Sequence, residues 1–459
     1  MATGTYDTPQ GMALSLAAVK DLMSAAGARK LFAKHLAPND NSKNQPYLGP
    51  DLTTLNIIPT GQTVSEPTKS HKTGATGTKI FRFSVQLSWL APTGQLLDAP
   101  NSKIIHYPQY PETRFSGFLK GSDVELGEWM NPDKQGRNPN RFLIFGVTDT
   151  RRVLAYLAVD GSVASHEMQT FESTAKRAGV FFEIPLQEVQ DTRMALLMKL
   201  KEIAELGWVD SVRLSANGLT PCNSPNCGGY TLEALLGISP NGFAEPDYLG
   251  WEVKQFGVKN FSKLNSSIIT LMTPEPDGGV YCTDGVDKFV RAYGYADLKG
   301  REDRLNFGGV HRHGTKVART GLTLYLKGYD TSTQKIVDAD GGIVLLDDFG
   351  VIAAQWGFTK LIDHWKRKHN QAVYVPSIAE IGASRRYRYG ASVKLCSGTD
   401  FLHVLKALLE SSIYYDPGIK IENASTNPVS KRRSQFRIKS KDVNALYNNV
   451  EVVDLNCLL

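Results

Sequence analysis

The elements that the sequence predicts divide this chain into a mostly β N-terminal half and an α/β C-terminal half, with a boundary near residue 190. Three observations carry that division. Between residues 80 and 159 several short apolar runs keep strand periodicity and are separated by turn residues. A helical segment opens at Asp191, and beyond it helices and strands alternate. At 459 residues the chain is long enough for two or three domains with cores of their own.

Met12 to Phe32 places Leu14, Ala17, Val19, Leu22 and Leu31 at near-helical spacing, interrupted by Gly27, and predicts an opening helix. Residues 39–78, rich in Asn, Pro, Gly, Ser and Thr, predict long loops around short strands. Ile80 to Leu87 alternates as a strand does, as do parts of Ser102 to Tyr107 and Arg141 to Val147. Val153 to Val159 is a further apolar run, and Phe181 to Pro185 closes this half, a β domain of barrel type. Asp191 to Leu206 then predicts a helix with Asp191 as N-cap, burying Met194, Leu197, Met198 and Ile203. Strands at Gly321 to Lys327 and Gly342 to Leu346, and helices at Phe358 to His369 and Asp400 to Ser411, continue the α/β pattern. No internal repeat is present.

Composition sets broad limits. The 52 Lys and Arg against 46 Asp and Glu give a formal net charge of +6, which permits a polyanionic partner without requiring one. The five cysteines form neither a C-x-x-C motif nor a paired framework, and Cys222 and Cys227 lack neighbouring Cys or His partners. Free thiols in a reducing compartment are therefore expected. No apolar run is long enough to span a bilayer and Met1 to Gln10 lacks a signal-peptide core, so a cytoplasmic location is expected. The sequence contains no Walker lysine loop or dinucleotide fingerprint, which argues against a nucleotide cofactor.

Chemistry concentrates between Gly228 and Lys254. Glu233 lies on a short amphipathic helix whose Leu232, Leu235 and Leu236 face the core. Pro246-Asp247 precedes a turn at Tyr248-Leu249-Gly250, and Trp251 to Phe256 alternates as a strand that projects Glu252 and Lys254 from one face. Two neighbouring carboxylates repel unless a cation lies between them, and Mg²⁺ takes such oxygen ligands while leaving room for phosphate. It can polarise a phosphodiester and acidify an attacking water. Lys254 adds positive charge where the transition state gathers negative charge. A Glu-x-Lys pair by itself is more often a solvated strand face. The Pro-Asp at the right offset and the preceding acidic helix shift the balance to catalysis, with Asp247 and Glu252 as metal ligands and Glu233 orienting a water or completing a second metal site.

The run Gly229-Tyr230-Thr231-Leu232-Glu233-Ala234-Leu235-Leu236-Gly237-Ile238, followed by Pro246-Asp247-Tyr248-Leu249-Gly250-Trp251-Glu252-Val253-Lys254, resembles the catalytic core of the MvaI/BcnI restriction endonucleases. Those are relatives of the mismatch-repair nickase MutH within the PD-(D/E)XK nuclease fold. The resemblance extends from about Asp191 to the C-terminus through Leu206-Gly207-Trp208-Val209, Leu271-Met272-Thr273-Pro274, His364-Trp365-Lys366 and Leu446-Tyr447. It implies Asp247, Glu252 and Lys254 as the catalytic trio, Glu233 as the helical acid, Mg²⁺ as cofactor and double-stranded DNA as substrate.

More sparsely, Lys34 to Ser42, with Asn39 and Asp40, then Ile104-Ile105-His106-Tyr107, Arg114 and the strands at 142–144 and 153–159, resemble the EcoRII effector domain, a DNA-binding pseudobarrel. The dense arginine segment of that domain is reduced here to Arg114 and Lys120. The combination is that of type IIE enzymes of the UbaLAI kind. It implies residues 1–188 as an effector domain that binds a second copy of the site and 189–459 as catalytic and recognition domain. A monomer and a CCNGG-like site, CCWGG favoured, are implied as well. A MutH-like, methylation-responsive nickase and a catalytically silent DNA-binding regulator stand as the alternatives.

For DNA reading, Lys431 to Lys441 puts Gln435, Arg437 and Lys439 on one strand face, where Arg can pair with guanine and Gln with adenine. Lys431, Arg432 and Lys441 suit phosphate contacts, and Arg433 between them is a further candidate for binding DNA. A bland basic tail is the other reading, against which the apolar Phe436 and Ile438 speak. Arg385-Arg386-Tyr387-Arg388-Tyr389 could line the same cleft or form an ordinary strand edge, and His311-Arg312-His313 reads as a loop rather than a metal site.

Overall fold

The computed structural model describes residues 6–38, 45–69, 76–110, 112–186, 192–215, 218–238, 247–382 and 384–458. Asn39, Asp40, Asp191 and Pro246 lie outside the described residues. The chain forms two compact units, Met1–Val189 and Gln190–Leu459.

The first unit carries two sheets. One runs in the spatial order Arg177–Ala178, Phe181–Ile184, Ala28–Leu36, Arg141–Thr148, Val153–Ala158, Leu87–Leu90, Leu96–Asp98. The other runs Tyr47–Gly49, Glu112–Ser116, Lys103–Tyr107, Thr76–Ser84, Thr63–Lys69. The expected opening helix is shorter than its apolar spacing suggests. Helices at Pro9–Ala13 and Leu16–Ala25 end at Gly27, whose φ of 95° is left-handed, and Ala28–Leu36 is a strand. Leu31 and Ala33 are buried by strand alternation, a period that happens to be compatible with the helical one over so few residues.

Arg141 is the least ordinary core residue of this unit. At 1% exposure its guanidinium makes no ion pair among the described residues but donates to three carbonyls: Nε to Asn138 at 2.8 Å, Nη1 to Trp129 at 2.6 Å and Nη2 to Ala37 at 3.0 Å. It thereby ties two loop positions, Ala37 and Asn138, to Trp129 of the short helix Gly127–Met130.

In the second unit, α1 (Thr192–Glu205) leads into β1 (Trp208–Asp210), and α2 (Cys227–Leu235) precedes β2 (Glu252–Gly257). The central sheet is completed by β3 (Gln371–Ile381), β4 (Arg385–Tyr389), β5 (Ser392–Ser397) and β6 (Asn449–Asp454), in the order β1-β4-β3-β5-β6. Strand β2 pairs in parallel with β3, Glu252 opposite Ala372 and Lys254 opposite Tyr374. One face of the sheet packs Val253, Val373, Val375 and Leu395 against Leu196, Leu200 and Leu232 of the two helices. Strands Leu322–Lys327 and Gly342–Leu346 and helices Phe358–Lys368 and Phe401–Leu409 form where the sequence predicts them, the last capped by the Asp400 carboxylate.

In α1 the buried residues are Leu196, Leu197, Leu200 and Ile203, whereas Met194 and Met198 are 40% and 38% exposed. At 100° per residue the two methionines lie opposite the face that meets the sheet, and only the position of the sheet decides between the two stripes. The thiols at 222 and 227 are not free: Cys222 and Cys227 form a disulfide across a Cα separation of 5.8 Å. Cys222 is held by Ser211 at both backbone groups, N to O at 2.9 Å and O from Ser211 Oγ at 2.6 Å. A turn through Ser224 then folds Cys227 back at the start of α2, its N donating to Ser224 O at 3.2 Å. Cys282, Cys396 and Cys457 are free. Closing so short a loop is worth about 2 kcal/mol by chain entropy. Reduction, or Cys222→Ser, is expected to lower the unfolding free energy of this unit by about that amount in denaturant titrations; identical curves with and without reductant would show that the bridge contributes nothing.

Candidate active site

The acidic residues are brought to Lys254 by a tight hairpin. Tyr248 and Trp251 exchange backbone hydrogen bonds at 2.9 and 2.8 Å around Leu249 and Gly250, whose φ values are 48° and 85°. Two positive-φ central residues define the turn type that matches strand twist, with Gly250 suited to it and Leu249 strained. The turn directs Asp247 back along β2, where its Oδ2 accepts from the Val253 N–H at 2.9 Å. Asp247 is thus anchored beside the strand bearing Glu252 and Lys254.

Glu252 is 1% exposed, and its two oxygens differ. Oε1 accepts from Lys254 Nζ, while the buried Oε2 finds no donor among the described residues. Burial acts to lower the Lys254 pKa, but the Glu252 carboxylate, then Asp247 and Glu233, outweigh it and raise it. Lys254 is therefore a cation at neutral pH, facing all three acids. Glu233 is half-buried on α2, with Leu232 and Leu236 turned into the core. The four residues singled out in the sequence come together.

The oxygen-only donor set and the orphaned Glu252 oxygen suit a hard divalent cation such as Mg²⁺. An unsolvated carboxylate oxygen is costly to bury without a counter-charge. Among the described residues no group of three or more His, Cys, Asp or Glu side chains forms a metal cluster.

The expected DNA-reading face is placed differently from its sequence pattern. Strand Phe436–Lys439 is flanked on both sides, by Ile268–Met272 and Ile413–Tyr415, with Phe436 and Ile438 fully buried. Gln435 is 2% exposed and accepts from Arg437 Nε at 2.9 Å through Oε1, and Arg437 Nη1 meets Asp416 at 2.6 Å. Gln435 is thereby withdrawn as a base reader, because Asp416, remote in sequence, draws Arg437 into an ion pair that Gln435 supports. Lys439, Arg432 and Arg433 are exposed, while Lys431 pairs with Glu422 at 2.8 Å. In β4, Tyr387 and Tyr389 are buried, Arg386 pairs with Glu380 and Arg388 lies 5.6 Å over the Phe261 ring. His311 is buried with Nδ1 on Gly309 O and Nε2 on Thr320 Oγ1, and burial pushes its pKa down to about 4. Arg114, in the first unit, pairs with Glu112 at 2.9 Å.

An anchored acid, a buried acid and a lysine on one strand, with a helical acid beside them, make a centre suited to hydrolysing phosphodiesters. The profile of the MvaI/BcnI restriction endonuclease family matches residues 197–447, more than half of the chain and the whole of this centre. The chain belongs to that family, and it is a site-specific deoxyribonuclease. Among solved structures it is similar to a restriction endonuclease MvaI–cognate DNA complex, at 16% identity over 58% of this chain and 99% of that one, with a TM-score of 0.43. MvaI in the absence of DNA matches at 16% identity over the same shares, with a TM-score of 0.33. The UbaLAI restriction endonuclease B3 domain with cognate DNA matches at 19% identity over 36% of this chain and 96% of that one, with a TM-score of 0.20. No curated protein sequence matches significantly.

Proposed function

We propose that this protein is a Mg²⁺-dependent type IIE restriction endonuclease of the PD-(D/E)XK fold. In this reading residues 189–459 cut a short CCNGG-like site, CCWGG favoured, and residues 1–188 form a pseudobarrel effector domain that binds a second copy. The observation that carries the catalytic part is the buried Glu252, whose Oε1 is held by Lys254 and whose Oε2 is left without a donor. Asp247 and Glu252 would hold the cation, which when bound supplies Lewis-acid polarisation of the scissile phosphate. Asp247 is oriented by the Val253 N–H, so its remaining oxygen capacity is directed and not free to rotate. Lys254 stays protonated and places its charge beside the developing negative charge on phosphate, while Glu233 orients the attacking water or completes a second ion site. The protein acts as a monomer in the cytoplasm, without a nucleotide cofactor, and exposed Arg432, Arg433 and Lys439 contact DNA.

The reading is tested by digesting a plasmid library with Mg²⁺ and sequencing the ends. Cuts confined to one pentanucleotide are expected, and ends of random sequence would refute site specificity. The effector part is tested separately with one-site and two-site plasmids. Faster cutting of the two-site plasmid, and acceleration of the one-site plasmid by added site-containing oligonucleotide, are expected; equal rates throughout would remove the second-site role.

A further inference from the structure

Within electrostatic reach of Glu252 lies a buried pair of phenols, Tyr374 and Tyr447. Tyr374 on β3 is the register partner of Lys254, so strand alternation puts it on the sheet face that carries Glu252 and Lys254. Neighbouring strands are about 4.8 Å apart, which puts the i−2 diagonal neighbour within reach of a tyrosine. Tyr374 is 1% exposed and its hydroxyl lies 3.1 Å from that of Tyr447, itself 6% exposed. Tyr447 is fixed by its neighbours: Leu446 O accepts from Thr399 Oγ1 at 2.6 Å, and Asn448 N donates to Gly398 O at 2.9 Å. Burial raises both phenol pKa values and the nearby Glu252 charge raises them further, so both hydroxyls keep their protons.

Two hydroxyls joined by one hydrogen bond hold two protons, and only one lies in the bond. The other O–H has no acceptor among the described residues, just as Glu252 Oε2 has no donor. A spare buried donor and a spare buried acceptor within electrostatic reach of each other are complementary, because each left alone costs the desolvation of its group. Water can join them where the direct gap exceeds hydrogen-bond length, since both ends are polar.

We propose that the Tyr374–Tyr447 pair is a positioning element for Glu252, holding its Oε2 through the spare phenolic O–H, by way of one water, in the orientation that binds the divalent cation. This rests on Glu252 being a cation ligand. Either phenol alone can still supply a proton, so the decisive variant is the double Tyr374→Phe, Tyr447→Phe, which keeps both rings and removes both hydroxyls. The probe is Mn²⁺ alone, its free concentration followed by electron paramagnetic resonance in titrations of the full chain. The double variant is expected to bind Mn²⁺ about tenfold more weakly, the usual cost of losing a group that orients a ligand, with its thermal midpoint in EDTA unchanged or raised. A merely structural role would move the midpoint and leave the affinity alone. A double variant within twofold of the parent, or a parent chain that binds no Mn²⁺, overturns the proposal. Glu252→Ala, assayed for cleavage in parallel, separates the two levels. If that variant still cuts DNA, the catalytic reading itself fails. If it is inactive while the double variant binds Mn²⁺ like the parent, only the tyrosine role is lost.

Discussion

Lys254→Met is expected to lower the rate of DNA cleavage by at least ~10²-fold, on the scale of removing one preorganised charge from a transition state, while leaving DNA affinity near that of the parent. The substitution keeps the length of the side chain and removes its charge. The parent ammonium is bound to Glu252 Oε1 and raised in pKa by three acids, so it is charged throughout the neutral range. The sign of any acid–base effect follows from that direction. A lysine whose folded pKa is raised contributes stability that is fully present below its unfolded pKa and is lost only as pH rises through the higher folded value. Unfolding free energy near pH 7 is therefore expected to fall in Lys254→Met, because Glu252 loses its partner and stays buried. Single-turnover cleavage separates chemistry from binding, and filter binding in Ca²⁺ reports affinity. A variant that cuts at the parental rate removes Lys254 from the mechanism. Asp247→Ala is expected to behave alike in cleavage, since it removes the acid that the Val253 N–H orients.

Arg141→Met is expected to destabilise the first unit by about 3 kcal/mol or more, the range for uncovering hydrogen-bond partners of a buried charged group. Three carbonyls, on Asn138, Trp129 and Ala37, receive that one guanidinium. Methionine fills most of the volume and leaves all three without a donor. The cost is measured as the shift in the denaturant midpoint of an isolated residue 1–188 fragment, if that fragment unfolds cooperatively, or of the first-unit transition in the full chain. A shift below about 1 kcal/mol would mean that water replaces the guanidinium at no penalty, and that the three carbonyls are held in place by other contacts.

The catalytic centre was legible because its parts are local. Glu252 and Lys254 are two residues apart on a strand, Asp247 sits one hairpin earlier, and Leu232 and Leu236 announce the helix that carries Glu233. Period-2 and period-3.6 patterns fix which side chains share a face, and charge on the same face stands out. What the sequence could not show depends on distant chain. The methionine stripe of α1 is as apolar as the leucine stripe, and only the sheet decides which is buried. Gln435 and Arg437 alternate as a reading face should, but Asp416 from another strand end claims Arg437. The Cys222–Cys227 bridge follows from a turn pinned by Ser211, for which cysteine spacing alone carries no signal. Tyr374 comes opposite Lys254 through parallel pairing of β3 with β2, and its hydroxyl meets that of Tyr447, 73 residues away in sequence. Long-range pairing of this kind has no local periodicity from which to read it. In the first unit, alternation at 141–147 marks one strand, whereas the run at 80–87 is broken: its strand ends at Ser84 and Leu87 opens a new strand in the other sheet of that unit. The short stretch after Gly27 satisfied both periods and resolved as strand once the left-handed glycine ended the helix.

A divalent cation held between Asp247 and Glu252 can be located by its own scattering. Diffraction from crystals of the full chain soaked in Mn²⁺, recorded at the manganese absorption edge, tests for it directly. An anomalous peak is expected within about 2.5 Å of Glu252 Oε2 and of an Asp247 carboxylate oxygen, the coordination range of hard divalent ions. Carboxylates that point apart at saturating Mn²⁺, with no anomalous density between them, would contradict a cation shared by the two residues.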